Sequence, residues 1–355
     1  MNILSVFFND HKVKLISSAS TLPGPPISTQ QLTNFMQSIA GKRNATFANI
    51  VAKRLGISSR HLIRELIPGL VMDNDLSLKL GTKTLEKAYQ SANIQQADYL
   101  IGHTTSPHTL LPPNIAWLAE RLKHTGPYME FRQACCGFAN ALQTASSMLA
   151  SQSNINNIGI VGSEVGSLYF DFSQEFINKE QLVNFMQMGD GAGAVVVAKD
   201  DGTSENIISD IYFGHIGLHK APGFGIKDGG ASNVECNTKL PHFFHEVSNI
   251  RENGAALFIS GIEAIKSRGY CIDDFKYIIP HQVNGHLAKL FSKELNIDAN
   301  KVVVDADQLG NLGSAAIWVS LDRLRNSGKL SQGDKVLILG AEATKYMYGG
   351  FVYQH

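Results

Sequence analysis

Three residue types in this chain can do nucleophilic chemistry together: a cysteine at position 135, a histidine at 281 and an asparagine at 311. Cys135 lies in RQACCGFANALQTASSMLA (132–150), where Phe138, Leu142, Ala145 and Leu149 recur at helical spacing and are expected to face a core. That reading puts Cys135 at the positive end of a helix. Unpaired amides and the macrodipole there favour an anion, so the thiol is expected to ionise more easily than a free one. Most free cysteines are simply small buried hydrophobes, and the adjacent Cys136 is assigned that role.

A cysteine nucleophile needs partners that handle protons and charge, and two later segments supply them. Tyr277-Ile278-Ile279 runs through Pro280 into His281-Gln282-Val283-Asn284, and Val302-Val303-Val304 runs through DADQLG into Asn311, followed by Leu312-Gly313-Ser314. Singly, a histidine after a strand is a hydrogen-bonded structural residue and an asparagine beside glycine is a turn former. Because each sits at a strand end and before a helix, the three read together as one site assembled from three loops.

The segments ACCGF, PHQVN and GNLGSAA, in this order and spacing, resemble the Cys, His and Asn motifs of the thiolase-like condensing enzymes, specifically the β-ketoacyl-acyl-carrier-protein synthase III group. VGSE (161–164) and MGDGAGAVVV (188–197) are similar to that group as well, so the likeness covers nearly the whole chain. The resemblance implies an α/β thiolase fold, with two similar halves in a layered α-β-α-β-α architecture. Residues 1–198 would form the half with the nucleophile, and residues 199–355 the half with His281 and Asn311.

It also implies roles. Cys135 takes up an acyl group from a thioester, and His281 and Asn311 donate hydrogen bonds to the enolate oxygen of a second thioester. The first oxyanion meets the backbone amide of Cys135 and one from the loop around Ala343 and Thr344. Arg54 in RLGI and Asn284 belong to the substrate and carrier site, although Ile50 stands where related enzymes often place an adenine-stacking tryptophan. Leu110 and Leu111 belong to a loop that reaches a homodimer interface. The implied substrates are acyl-CoA or acyl-ACP thioesters, with no permanently bound cofactor.

One departure concerns the loop after the last interior strand. The group usually carries a glycine-rich run there, whereas this chain has Ala341-Glu342-Ala343-Thr344-Lys345-Tyr346. Glu342 is either a buried proton acceptor or half of an ion pair with Lys345, and the pair is the favoured reading. LPGPPISTQQLTNFMQSIAGK, RLGISSRHL and TTSPHTLLP resemble the branch that builds dialkylresorcinols or cyclohexanediones from two fatty-acid-derived thioesters. Leu111 before Pro112 stands where relatives that join two acyl chains without decarboxylation often carry glutamate, which counts against that variant.

Composition narrows the alternatives. A chain of 355 residues with 44% hydrophobic content can bury a large core, and 31 basic residues against 31 acidic ones leave no field for a nucleic-acid backbone or an anionic membrane. No apolar stretch approaches the roughly 20 residues of a membrane span. The opening MNILSVFFNDHKVKL has no cleavable-leader pattern and reads as a first strand. Four cysteines without disulfide or zinc spacing fit a reducing cytoplasm. A papain-like hydrolase also uses Cys, His and Asn, but its tryptophan-bearing helix and disulfides are missing.

The elements that must hold the site follow from pattern. A helix is expected from Ser28 or Thr29, another over 75–89, and strands at 99–101, 157–163 and 193–198. GDGAGA precedes its strand instead of following one, so its glycines are structural and not a phosphate loop. Residues 200–255 show no clear period and are expected to form loops over a substrate tunnel. His242 and His245 are three apart, but no further ligand is evident and no metal is expected. From Ala255 the order is helix, strand, His281 loop, helix, strand, Asn311 loop, helix, with the last helix ending at Gly328 and a strand over 336–339.

Overall fold

The computed structural model describes residues 6–67, 75–173, 176–231 and 243–355. The first half opens with strands β1 (Phe7–Asn9) and β2 (Val13–Thr21), where the sequence suggested one, because Asp10 to Lys12 break the run. A short strand β3 (Ile27–Ser28) leads into helix α1 (Thr29–Leu55). Its cap is Ser28, whose side chain accepts the Gln31 amide while the Gln31 side chain accepts the Ser28 amide. Such a reciprocal cap is worth about 1 kcal/mol. Then come β4 (Ser59–Arg60), α2 (Leu76–Ala92), β5 (Tyr99–His103), α3 (Asn114–Arg121), β6 (Tyr128–Phe131), α4 (Gly137–Ser151), β7 (Asn157–Glu164), α5 (Lys179–Gln187) and β8 (Gly191–Lys199).

The second half contains β9 (Ile207–His215), β10 (Phe224–Ile226), β11 (Phe243–His245), α6 (Val247–Ser267), β12 (Tyr277–Pro280), α7 (Leu287–Leu295), α8 (Ala306–Leu309), α9 (Ala316–Arg325), β13 (Lys335–Glu342) and β14 (Met347–Gln354). The 200–255 region is therefore more regular than its sequence suggests. β9 is an interior strand, and the β10–β11 ribbon sits against α5, where the Gln181 side-chain amide donates to the Phe243 carbonyl at 2.9 Å. Val302 to Val304 form no strand and keep only a parallel bridge between Val302 and Ile278. Helix α9 ends at Arg325, before Gly328.

The topology repeats. In the first half β2 pairs antiparallel with β8, β8 antiparallel with β7, and β7 and β5 parallel with β5 and β6 in turn. In the second half β9, β14, β13, β12 and the Val302 bridge follow the same order and the same directions. The two sheets join where β2 meets β9 over Val13↔Ile208 and Lys14↔Ile207.

Side-chain alternation then builds five layers. Ile158 and Ile160 of β7 and Val336 and Ile338 of β13 turn inward onto α4 and α9, with Phe138, Leu142, Ala145, Leu149, Ile317, Trp318 and Leu321 in one core. Val161 of the first sheet turns outward to α2 and α3, and Leu337 and Leu339 of the second turn outward to α6 and α7. The result is an α-β-α-β-α stack whose middle layer is α4 and α9.

Candidate active site

Cys135 lies just ahead of α4, one residue before the position that caps it, and is half-buried, while Cys136 is fully buried. Its acidity differs from expectation. Burial, reinforced by the nearby carboxylates of Glu342 and Glu164, pushes the thiol well above the ordinary cysteine value. The helix start does attract an anion, but that anion is Glu342, whose Oε2 accepts the Cys136 amide at 2.9 Å.

The expected pair of Glu342 with Lys345 is absent. The Lys345 ammonium donates to the Lys220 carbonyl, and Glu342, 1% exposed, takes the Thr344 hydroxyl on its Oε1. Burial raises the Glu342 pKa, against the lowering effect of these donors. A buried carboxylate finds its partners where the fold offers amides, and the start of α4 is such a place.

His281 follows β12 and donates its backbone amide to the Leu339 carbonyl at 2.8 Å. Its ring is 1% exposed, neither ring nitrogen has a partner among the described residues, and burial lowers its pKa to about 4. It is thus a neutral imidazole with one N–H to give. A buried ring without partners on both sides is costly in a packed core.

Asn311 is held by its backbone: its amide donates to the Gln187 carbonyl at 2.8 Å, and its carbonyl accepts the Gly189 amide at 3.1 Å. Its side-chain Oδ1 accepts the Gly313 amide at 2.9 Å, which leaves the carboxamide NH₂ as the outward donor. Gly313 has φ +49°, and a Cβ there would lie 2.6 Å from Glu164 Oε2, so the turn needs glycine.

Side chains fasten the three loops to one another. The Gln187 side chain donates to the Val283 carbonyl at 2.9 Å, linking the Asn311 turn to the His281 loop. The Gln282 Nε2 donates to the Pro280 and Val303 carbonyls, and its Oε1 accepts the Asp305 and Ala306 amides. The Ser314 hydroxyl donates to Glu164 Oε2 at 2.8 Å and lies 3.3 Å from the Gln133 carbonyl, a second acceptor, which ties the start of the second-half helix to the segment of Cys135. The segments of Cys135, His281 and Asn311 therefore meet at one end of the middle layer.

The amides of Cys135 and Thr344 donate to no acceptor of another described residue, as two oxyanion donors require. Arg54 is exposed in the last turn of α1, and Ile50 is exposed one turn earlier. The Gly285 amide donates to the Leu55 carbonyl at 2.7 Å, which sets Arg54 beside the loop of Asn284. The Asn284 Oδ1 accepts the His286 amide at 2.8 Å and so shapes that loop. Leu110 and Leu111 stand apart, 67% and 84% exposed. His242 lies outside the described residues, and the His245 ring is 2.9 Å from Asn184 Oδ1. Asp190 of GDGAGA binds the Ile63 and Ser167 amides, a structural use of that loop.

Glu164 was legible only as part of a motif. It accepts the Ser314 amide at 3.1 Å, in the 3-10 turn that leads into α9, and it also takes the hydroxyls of Thr105 and Ser106. The signal that finds it is the repeated strand ending Gly162-Ser163-Glu164 and Gly340-Ala341-Glu342.

Comparison with known proteins agrees with this layout. Residues 129–214 match the family model of 3-oxoacyl-[acyl-carrier-protein] synthase III, and residues 265–354 match the model of that enzyme's C-terminal part. The chain belongs to the 3-oxoacyl-[acyl-carrier-protein] synthase III family. It is a condensing enzyme of the ketosynthase III type. A β-ketoacyl-[acyl-carrier-protein] synthase III of Wolbachia pipientis wMel is 26% identical over 335 residues, covering 94% of this chain and 96% of the relative. Among solved structures, the tetronic acid condensing enzyme AbyA1 is similar with a TM-score of 0.80 at 21% identity, over 97% of this chain and 100% of that one. The 3-oxoacyl-[acyl-carrier-protein] synthase III of Aquifex aeolicus VF5 gives 0.77 at 20%, over 97% and 100%. The fold is thus common to this chain and both solved structures.

Proposed function

We propose that this ketosynthase joins two acyl thioesters by a Claisen-type condensation through an acyl group carried on Cys135. The Cys135 sulfur displaces the carrier thiol, and the oxyanion of that step rests on the Cys135 and Thr344 amides. A second thioester then forms an enolate, whose oxygen accepts hydrogen bonds from a neutral His281 and from the Asn311 NH₂. The observation that carries this reading is a buried His281 ring without a partner among the described residues, together with an Asn311 whose side-chain oxygen is already engaged. Both then act as donors, the arrangement that a developing enolate needs.

The donor is an acyl-CoA or acyl-ACP thioester entering past Arg54 and Asn284. The relatives' name, which includes an acyl carrier protein, supports that substrate class. The exposed Leu110 and Leu111 support assembly as a homodimer, and the division of labour follows the two halves, 1–198 and 199–355.

For the product, we propose the dialkylresorcinol or cyclohexanedione class, from two fatty-acid-derived thioesters. The segments around Leu22–Lys42, Arg54–Leu62 and Thr104–Pro112 support it, as does the replacement of a glycine-rich run by Ala341–Tyr346. The second reading, a first condensation in fatty-acid synthesis, is favoured by the printed name of the 26% identical relative. Incubation with a long-chain acyl thioester and either a β-ketoacyl or a malonyl thioester, with mass spectrometry of the released product, separates them. A cyclised product from the β-ketoacyl partner is expected. Turnover with the malonyl partner alone would assign the second reading, and release of free acid alone would contradict condensation.

A further inference from the structure

The turn that carries the Thr344 amide takes its shape from outside its own hairpin. Residues 343–346 connect β13 to β14, and among the described residues their backbone hydrogen bonds outside the strands both run to a distant loop, 216–223, which follows β9. The Gly223 amide donates to the Ala343 carbonyl at 3.1 Å, and the Ile216 amide donates to the Tyr346 carbonyl at 2.9 Å. Between those two bonds the Lys345 ammonium donates to the Lys220 carbonyl, and the Lys220 ammonium lies 5.7 Å from the centre of the Tyr346 ring. Every neighbour of Thr344 in the turn is thus tied to the same loop. The loop is itself closed by the Lys220 amide on the Gly217 carbonyl at 3.2 Å, and it is moored to the start of α6 by the Glu246 amide on the Gly223 carbonyl at 2.8 Å.

We propose that the 216–223 loop is a clasp that holds the Thr344 amide on the oxyanion of the acyl-transfer step, with Lys345 and Gly217 as its positioning residues. Both act through the turn. The inference rests on Cys135 being the acyl acceptor and on Thr344 being an oxyanion donor.

Two further observations carry it. Tyr346 sits at φ +56° and is fully buried. A bulky residue in that left-handed region is strained and persists only where its surroundings over-determine it, and the surroundings here are the clasp. A Cβ on Gly217 would overlap the Lys345 carbonyl oxygen, so loop and turn meet backbone to backbone and the fit needs glycine. An oxyanion donor works because it is already in place when charge develops, and a displacement on the order of 1 Å costs about 10²-fold in rate. A turn with a side chain at every position meets that demand by being fixed from outside.

The test compares wild type with Lys345→Met, Lys345→Arg, Gly217→Ala, Thr344→Pro and Cys135→Ala. It reads the single-turnover rate of acyl transfer from decanoyl-CoA at saturation and the half-saturating concentration, both by rapid-quench intact mass. Separately it reads the rate of Cys135 alkylation by iodoacetamide, a reaction that forms no oxyanion. Lys345→Met changes an exposed side chain and is expected to lower the saturating rate about 10-fold, with the half-saturating concentration and the alkylation rate unmoved. Lys345→Arg keeps a donor for the Lys220 carbonyl and is expected to recover most of that rate. Gly217→Ala displaces the turn further and is expected to cost about 10²-fold. A merely structural role would lower alkylation along with acylation. An unchanged saturating rate in Lys345→Met, an equal loss in both reactions, or no recovery in Lys345→Arg overturns the clasp, independently of how Gly217→Ala folds. Thr344→Pro removes the amide itself: acylation as fast as wild type overturns the oxyanion reading, whereas a loss there without one in Lys345→Met overturns the clasp alone. An adduct that persists in Cys135→Ala overturns the acyl-acceptor reading, a failure distinct from both.

Discussion

Glu164 and Glu342 occupy the same place in the two halves: each ends an eight-residue interior strand, and each gives its carboxylate to the start of the other half's central helix. The exchange ties α9 to the first sheet and α4 to the second. It also puts both carboxylates where their charge raises the pKa of Cys135. The electrostatics of the site thus come from the duplication of the fold and not from the helix dipole alone.

The same symmetry explains why the residue two before each glutamate is glycine. A Cβ on Gly162 would lie 2.4 Å from the Ser314 carbonyl oxygen, and one on Gly340 would lie 2.7 Å from Phe138 Cε1 and 2.8 Å from the Gly349 carbonyl oxygen. Gly162→Ala and Gly340→Ala are each expected to cost about 1–3 kcal/mol of stability by overpacking. Urea denaturation measures this, and a cost near zero at both would contradict the close approach.

Asn311 is expected to serve the second step and not the first. Asn311→Asp keeps an acceptor for the Gly313 amide but removes the outward NH₂ donor. Loss of one such donor typically costs about 10²–10³ in rate. Product formation should fall by that factor while the acyl adduct on the protein still forms, as read by product assay and intact mass on the same samples.

Burial of His281 makes stability depend on pH. Its folded pKa, about 4, lies below the ordinary 6.5, so in the window between them the unfolded chain binds a proton that the folded ring refuses. The stability conferred by the neutral ring is complete above pH 6.5 and declines as pH falls toward 4. His103, lowered to about 3 by burial, acts in the same sense, and Asp190, raised to about 6, in the opposite one. Comparing wild type with His281→Ala isolates the one ring: the fall in unfolding free energy from pH 7 to pH 5 should be smaller in the variant by about 2 kcal/mol. Equal slopes would contradict the neutral, buried state.

At 84% exposure, Leu111 is an unusual place for a large apolar side chain. If its loop is the seam between two copies, Leu111→Asp should convert a dimer to a monomer in sedimentation analysis. An unchanged sedimentation coefficient would place the seam elsewhere.

Much of this architecture was legible in the sequence because periodicity reports burial. The α4 positions Phe138, Leu142, Ala145 and Leu149 are all in the central core, and the Ser28 cap and the strands leading to His281 and Glu342 fall where expected. What could not be read was non-local. β9 looked like loop because its neighbours β2 and β14 lie far away in sequence, and pairing with them supplies its regularity. Val302 to Val304 have strand composition, but beside an edge they gain only one bridge. The partner of Glu342 was misjudged because Lys345 is near in sequence, while the amide that binds the carboxylate belongs to Cys136, 206 positions away. The acidity of Cys135 was misjudged for the same reason.

The central claim is that an acyl group is carried on the Cys135 sulfur. Intact-mass spectrometry of the protein after incubation with an acyl thioester tests it most directly, with peptide mapping to locate the added mass. The account predicts one acyl group per chain, on Cys135, and none on Cys135→Ala. An adduct of the same size and yield on the variant would contradict it.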